Sequence, residues 1–373
     1  MSDATATVRT ERHPDLPPPA TTVGVLGWLR TNLFSSWLNT ALTLLGLYLL
    51  WLIVPPLLDW AVFSATITGE DRTACEPNPG ACWVFIKVQF WQFIYGFYPP
   101  DQTWRVNLTF LLFVAGVAPV LIERIPGKKW ALFYLLFAFP VIAYVLFVGG
   151  VFGLPLVETA LWGGLSLTLV VSIIGIVASL PLGILLALGR RSKMPILRML
   201  SVVFIEAWRG VPLISVLFMA SVMLPLFLPE GVNFDKLLRA LIGVALFSAA
   251  YMAEVVRGGL QAVPRGQYEA AAALGLSYWK TMGLIVLPQA LKIVIPGIVN
   301  TFIGLFKDTT LVAIIGLFDL LGRVHTATTN AAWLGMSTEG YVFAGAVFWV
   351  FCFGMSRYSI RLERKLGAGQ RRR

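Results

Sequence analysis

Glu206 and Arg209 stand three residues apart within an apolar run from Leu200 to Leu226, so they share one face of any helix that holds them. Counted by rise per residue from Arg198, they fall well into a membrane span. An ionisable group there costs about 2.5–3.5 kcal/mol on insertion scales, so it faces protein or a water-filled cavity. Two roles fit the pair: contact with a charged small molecule, or an ion pair that holds helices together. Gly210 and Pro212 follow, and both free backbone groups by breaking the helix. Lys307, Asp308, Thr309 and Thr310 interrupt a second run, Ile293–Leu321, which is too long for one plain span. The pattern predicts a discontinuous helix, a common way to build a binding site inside a bilayer. Its alternative is a buried pair that closes a helix end. Glu254 and Arg257 repeat the three-residue spacing near the end of a third run, where a solvated or interdomain salt bridge is expected. No catalytic cluster is legible. The chain lacks G-x-x-x-x-G-K-[ST] and G-x-S-x-G, and its histidines, His13 and His325, form no metal-ligand pattern with the cysteines.

The elements around these residues follow from composition. Of 373 residues, 57% are hydrophobic and 13% charged, with a mean hydropathy of +0.78. Soluble domains carry about 25% charged residues, so the bilayer is the expected solvent. Thirteen Trp and ten Tyr suit an aromatic belt at the headgroups. The net charge of +10 sits in small groups at the ends of apolar runs, which marks topology and argues against nucleic acid. Hydropathy predicts eight crossings: Leu38–Phe63, Val106–Ile122, Trp130–Val148, Leu161–Leu188, Leu200–Leu226, Leu237–Val256, Ile293–Leu321 and Tyr341–Met355. Pro55-Pro56 predicts a kink or end in the first. With both termini inside, most of the 29 basic residues fall inside, including Arg190, Arg191, Lys193 and Arg198. Residues 1–35 read as a polar cytoplasmic tail with no removable signal peptide. Residues 36–155 form a three-helix extension with an outer loop at 64–105. Residues 156–361 form a five-helix unit, and 362–373 a basic cytoplasmic tail.

The polar-edged segment Glu269–Gln289, EAAAALGLSYWKTMGLIVLPQ, falls on the inner side of this map. Ala270 to Ala273 favour helix and keep its surface low. Gly275 permits a turn or close approach, and Pro288 limits the helix beyond. Glu269 suits pairing with a basic partner group or stabilising the helix start. The plain alternative is an alanine-rich surface helix.

The spacing E-A-A, three residues, Gly275, nine residues, Ile285, one residue, Leu287-Pro288 resembles the EAA loop of bacterial binding-protein-dependent ABC importers. Ala250–Gly259, AYMAEVVRGG, resembles the helix end that leads into that loop in amino acid permeases. Glu206–Leu213, EAWRGVPL, resembles E-x-F-R-G-T-P-L of the polar amino acid uptake branch, with Trp208 and Val211 departing from it. Phe306–Leu311, FKDTTL, resembles L-K-D-T-S-L. These motifs span about 200 residues of the core, and the extended N-terminal part is similar to a permease of the general L-amino acid importer. The resemblance implies an all-α integral membrane protein of about eight transmembrane helices with a five-helix permease core. It implies a coupling loop at 264–290, in which Glu269, Ala270, Ala271, Gly275 and Pro288 meet an ATPase. The implied partners are a second permease, two ATPase subunits, a periplasmic amino-acid-binding protein and the bilayer. No cofactor is implied in this chain, since ATP is used by the partner ATPase. The implied location is the bacterial inner membrane, multi-pass, with both termini cytoplasmic. Glu206, Arg209, Asp308, Thr309 and Thr310 are the substrate-path candidates for an L-amino acid.

Three rival readings stand beside this one: an ion-driven secondary transporter, a membrane-embedded enzyme and a non-transporting structural subunit. The EAA segment argues against the first, the missing catalytic cluster against the second, and the charges within spans against the third. Cys75 and Cys82 flank Glu-Pro-Asn-Pro-Gly-Ala in the outer loop, where an oxidising periplasm permits a disulfide. Cys352, in the last span, reads as an inert packing residue.

Overall fold

Backbone groups in hydrocarbon must be satisfied within their own segment, which selects helices for the long apolar runs. The computed structural model describes residues 24–76, 78–122, 124–229 and 234–367. Most of the expected N-terminal tail, with Arg9, Arg12 and His13, and the last six residues of the basic tail lie outside these. Among the described residues seven helices are long and apolar enough to cross a membrane: Trp37–Phe63, Pro100–Leu121, Lys128–Val148, Gly164–Arg190, Lys236–Ala262, Ile295–Ile315 and Ser337–Leu366. The eighth apolar segment is a bent pair, Pro195–Gly210 and Leu213–Phe227. The described residues contain no strand, only the isolated bridges Gly96–Trp162 and Gly164–Asp319. The protein is an all-α membrane protein.

One expected span needs correction, one is interrupted as its length predicts, and one runs past its prolines. The run Leu200–Leu226 is not one straight crossing: its halves meet at 101°. Pro212 has no N–H to donate, and Val211 (φ −113°, ψ 134°) and Pro212 (φ −61°, ψ 142°) are both extended, so the helix stops and restarts. The run Ile293–Leu321 ends its α-helix at Asp308, continues as a tighter 3₁₀ turn over Thr309–Ile315, and reverses at Gly316 (φ 75°). Pro55 and Pro56 do not end the first helix, which runs from Trp37 to Leu58 and widens into a π turn over Asp59–Phe63. The Asp59 N–H reaches the carbonyls of both prolines, so the backbone is satisfied past them.

The chain forms two compact units. The smaller comprises residues 1–66 and 75–81 and the larger 67–74 and 82–373. In the smaller, Ser36 caps the first span by accepting the Asn39 N–H at 3.2 Å. No side chain of Trp37–Leu58 is buried. Thr66 N–H donates to the Ala81 carbonyl and Ala81 N–H to the Trp60 carbonyl, each at 2.8 Å.

In the larger unit Gly164–Arg190 packs along Lys236–Ala262, with Ile295–Asp308 against both. Without a hydrophobic force between helices in lipid, small residues that admit close contact drive such packing. A Cβ at Gly183 would lie 2.7 Å from Met252, so only glycine fits there without displacement. Two apolar clusters fill the bundle. One holds Leu167, Val171, Leu217, Val244, Leu305 and Val312. The other holds Ala187, Ile205, Met252, Leu260, Met282 and Val286, at the end that carries Arg265–Ala273. The expected outer loop at 64–105 proves more ordered than a loop, because Trp83–Tyr95 is a helix. Its Phe85 and Phe93 are buried, against Trp333 (5.4 Å between rings) and Phe343 (5.6 Å) respectively. Glu339 accepts the Cys82 N–H at 3.0 Å, which fixes that helix start to the last span.

Candidate functional site

Part of the segment expected to be a coupling loop, 264–290, is helical. Arg265–Ala273 is an α-helix set between two spans. Its far end closes as a Schellman turn: Gly275 N–H donates to the Ala272 carbonyl (2.9 Å) and Leu276 N–H to the Ala271 carbonyl (3.1 Å). Gly275 takes φ +69°, and nothing lies within 4 Å of where its Cβ would be. The glycine therefore answers a backbone need and leaves an open face. Ala271 is buried, while Glu269, Ala270, Gly275 and Pro288 are exposed. Leu274, Trp279 and Leu284 are each more than 70% exposed, so the surface around the helix is apolar as well as open. The platform is held from behind. Arg191 donates to the Leu260 carbonyl (2.9 Å) and to Tyr268 (3.2 Å), and Tyr268 donates to the same carbonyl (3.1 Å). Gln289 bonds Gln267 at 3.1 Å across the loop.

A second arrangement lies beside it, around Glu254. One carboxylate oxygen of Glu254 accepts from Arg190 at 2.9 Å. The other accepts from Arg257 twice, at 2.9 and 2.7 Å, and lies 3.9 Å from Arg209. Arg190 also donates to Glu206 at 2.8 Å. The Glu254 side chain is 16% exposed and that of Glu206 54%. The Arg209 guanidinium lies 5.5 Å from the Tyr251 ring centre. Three guanidiniums thus face two carboxylates across three helices. The helix of Glu206 and Arg209 meets its continuation at 101°, and Arg190 is the last residue of its span. Glu206 and Arg209 do not pair with each other but share Arg190 and Glu254 with other helices. Glu254, expected to make a peripheral bridge, is the hub.

The other candidates lie apart from the hub. Lys307 is exposed, Asp308 and Thr310 half-buried, and Thr309 buried. Thr309 and Thr310 donate to the Phe306 (2.8 Å) and Lys307 (2.9 Å) carbonyls, bonds that close the change from α to 3₁₀ helix. Among the described residues no ion pair joins Lys307 to Asp308, and no hydrogen bond joins either to Glu254. Cys75 and Cys82 are in the disulfide form, whereas Cys352 is a free thiol. No group of three or more metal-ligating side chains occurs among the described residues. Arg190 was missed at the sequence level. The one available signal was its position as the first cation after an apolar run. Its contact with Glu254, 64 residues on, depends on how two spans pack.

The chain has relatives along nearly its whole length. Over 363 residues the chain is 57% identical to the inner membrane amino-acid ABC transporter permease protein YhdY of Escherichia coli K12, covering 96% of this chain and 97% of that protein. It is 46% identical to the glutamate/glutamine/aspartate/asparagine transport system permease protein BztC of Rhodobacter capsulatus, covering 98% of this chain and 99% of the relative. A crystal structure of an amino acid ABC transporter with histidines aligns at a TM-score of 0.49 and 29% identity, over 54% of this chain and 92% of that one. Residues 179–367, which hold the Glu254 hub, the Arg265–Ala273 helix and the last two spans, match the family of binding-protein-dependent transport system inner membrane components. With that match and full-length relatives on both counts, this chain belongs to the inner membrane components of binding-protein-dependent transport systems, as a multi-pass permease.

Proposed function

We propose that the chain is a permease subunit of an ATP-driven importer of L-amino acids, working with a second permease, two separate ATPase subunits and a periplasmic amino-acid-binding protein. The supporting observation is the Arg265–Ala273 helix: braced through Arg191 and Tyr268, closed by Gly275, and exposed on the face that carries Glu269 and Ala270. A rigid, low-relief helix between two spans transmits a push from a neighbouring protein into the bundle. ATP acts on the partner, and this chain holds no cofactor and carries out no covalent step. Both termini lie in the cytoplasm, by the distribution of Lys and Arg. The names of the full-length relatives support an amino acid as solute, and that of BztC supports polar side chains among those carried. Purification of the chain from native membranes in mild detergent tests the reading. A stoichiometric ATPase subunit is expected; a chain that transports amino acids with no nucleotide-hydrolysing partner overturns it.

Within this reading the substrate path passes Glu206, Arg209, Asp308, Thr309 and Thr310. A guanidinium grips a carboxylate through a fork of donors, and every free amino acid presents a carboxylate. Arg209 is 36% exposed and only 3.9 Å from Glu254 at its nearest, so its donors are not consumed by the hub. Arg209→Ala is expected to lower uptake of several amino acids in similar proportion, by at least tenfold, in vesicles carrying the assembled complex. Solute binding to the separate periplasmic protein stays unchanged. Uptake at the wild-type level removes Arg209 from the path, and loss of assembly reassigns it to the structural hub.

Cys75 and Cys82 bear on the orientation. In protein from an oxidising periplasm we expect them joined to each other and inert to a membrane-impermeant maleimide until reduced. Labelling of unreduced protein contradicts the bond, and absence of labelling after reduction contradicts an outer position.

A further inference from the structure

Two grooves lie side by side on the helix Pro195–Gly210, and they share Arg198 and Val202. The first, about 530 Å³, is lined by Arg190, Arg191, Arg198, Arg257 and Gln261 together with Val202. The second, about 460 Å³, is lined largely by Lys193, Met199 and Val203 beside the shared pair. Four guanidiniums thus converge on the first groove. Glu206 and Glu254 neutralise part of that charge, and Arg191 is turned toward Leu260 and Tyr268. Arg198 is exposed, and its guanidinium has no hydrogen-bond or ion-pair partner among the described residues. The helix that carries it is amphipathic. Ile196, Met199, Leu200 and Val203 follow the i, i+3, i+4, i+7 spacing of one face, and each is 58–70% exposed. Because this helix meets Leu213–Phe227 at 101°, it runs across the direction of that apolar segment, as a helix lying in a membrane interface does.

A basic groove beside an apolar one matches one ligand chemistry: a phosphate anion attached to acyl chains. We infer that this paired groove binds an anionic glycerophospholipid from the leaflet nearest the Arg265–Ala273 helix. The guanidiniums of Arg198 and Arg190 hold its phosphate, and its chains lie along Met199 and Val203. Arginine suits the task because its planar donors meet phosphate oxygens in pairs. A free phosphate ion would use the first groove and have no use for the second. The site is distinct from the exposed face of Glu269 and does not depend on which solute is carried.

The test uses the full chain purified in detergent, with retained lipid counted by native mass spectrometry. Phosphatidylglycerol and phosphatidylcholine with the same acyl chains are offered at equal concentration. Phosphatidylglycerol is expected to be retained preferentially. Arg198→Gln should lower its retention about fivefold, as expected for one basic residue near an anionic lipid surface. Arg198→Lys should keep part of it. Lys193→Gln, which lines the apolar groove, should act in the same direction and gives a second reading if Arg198→Gln disturbs folding. Lys128→Gln, at an exposed position elsewhere, should change nothing. Equal retention of the two lipids overturns the inference, as does undiminished phosphatidylglycerol in both the Arg198→Gln and Lys193→Gln proteins. Displacement of the lipid by millimolar inorganic phosphate overturns it too, since the groove is then a simple anion site.

Discussion

Glu254→Gln is expected to destabilise the protein by about 2–3 kcal/mol, while Glu206→Gln costs under about 1 kcal/mol. Both remove one carboxylate charge from the same cluster, and burial separates them. The Glu254 side chain is 16% exposed and accepts from two arginines with a third within 4 Å. The amide cannot accept all of these bonds, and Arg190, Arg209 and Arg257 are left facing Glu206 alone. Water solvates three crowded guanidiniums poorly in that position, so their repulsion and lost bonds appear in the folded state. Glu206, at 54% exposure, gives its share to solvent when it is removed. Thermal midpoints of the three proteins in one detergent decide the matter. A Glu206→Gln protein as destabilised as Glu254→Gln would show that the hub is not centred where the structure places it. The double variant should cost more than the sum of the two single variants, because with Glu254 neutral Glu206 is the only carboxylate left to offset Arg190 and its neighbours.

Uptake is expected to fall at least tenfold in Glu269→Lys and in Gly275→Asn, with the chain inserted at normal level. The two changes act differently. Glu269 is exposed and lacks an ion-pair partner within the described residues, so reversing its charge disturbs an approaching protein rather than the chain's own fold. Gly275 requires φ +69°, which asparagine tolerates better than other side chains. Asparagine therefore keeps the Schellman turn while placing a side chain on the open face. Reconstituted complexes give the readout: both should lose substrate-stimulated ATP hydrolysis as well as uptake. Wild-type stimulation in both variants would count decisively against docking at this face. A Gly275→Asn protein that works beside a failing Gly275→Val protein would assign the glycine a backbone role only, since a β-branched residue resists positive φ.

Much of this was legible beforehand because it rests on local chemistry. Apolar run length places the crossings, since a bilayer of fixed thickness demands a fixed number of residues. The change of helix type near Lys307–Thr310 was readable because polar residues broke a run too long for one span, and the structure makes the change at Asp308–Thr309. The Arg265–Ala273 helix was readable from four alanines, a glycine at the turn and a proline beyond it. The misreadings share another cause. Leu200–Leu226 reads as one crossing only while its helix is straight, and Pro212 breaks it. Trp83–Tyr95 passed as loop because hydropathy registers spans. Its helix is held by Phe85, Phe93 and the Glu339 bond to Cys82, contacts that come from elsewhere in the chain.

The sequence by itself determined the solvent, the helical class, the order of the apolar segments and the position of the alanine-rich helix between two of them. Each of these depends on residues within one segment and on the bilayer around it. Only the tertiary structure decided which charges meet. Arg190, Glu206 and Glu254 come from three separate helices, and their distances follow from the crossing of Gly164–Arg190 with Lys236–Ala262 and from the 101° bend after Gly210. Coulomb attraction acts over a few ångströms, whereas those packing choices are made by small side chains such as Gly183 against Met252, far along the chain from the charges they bring together.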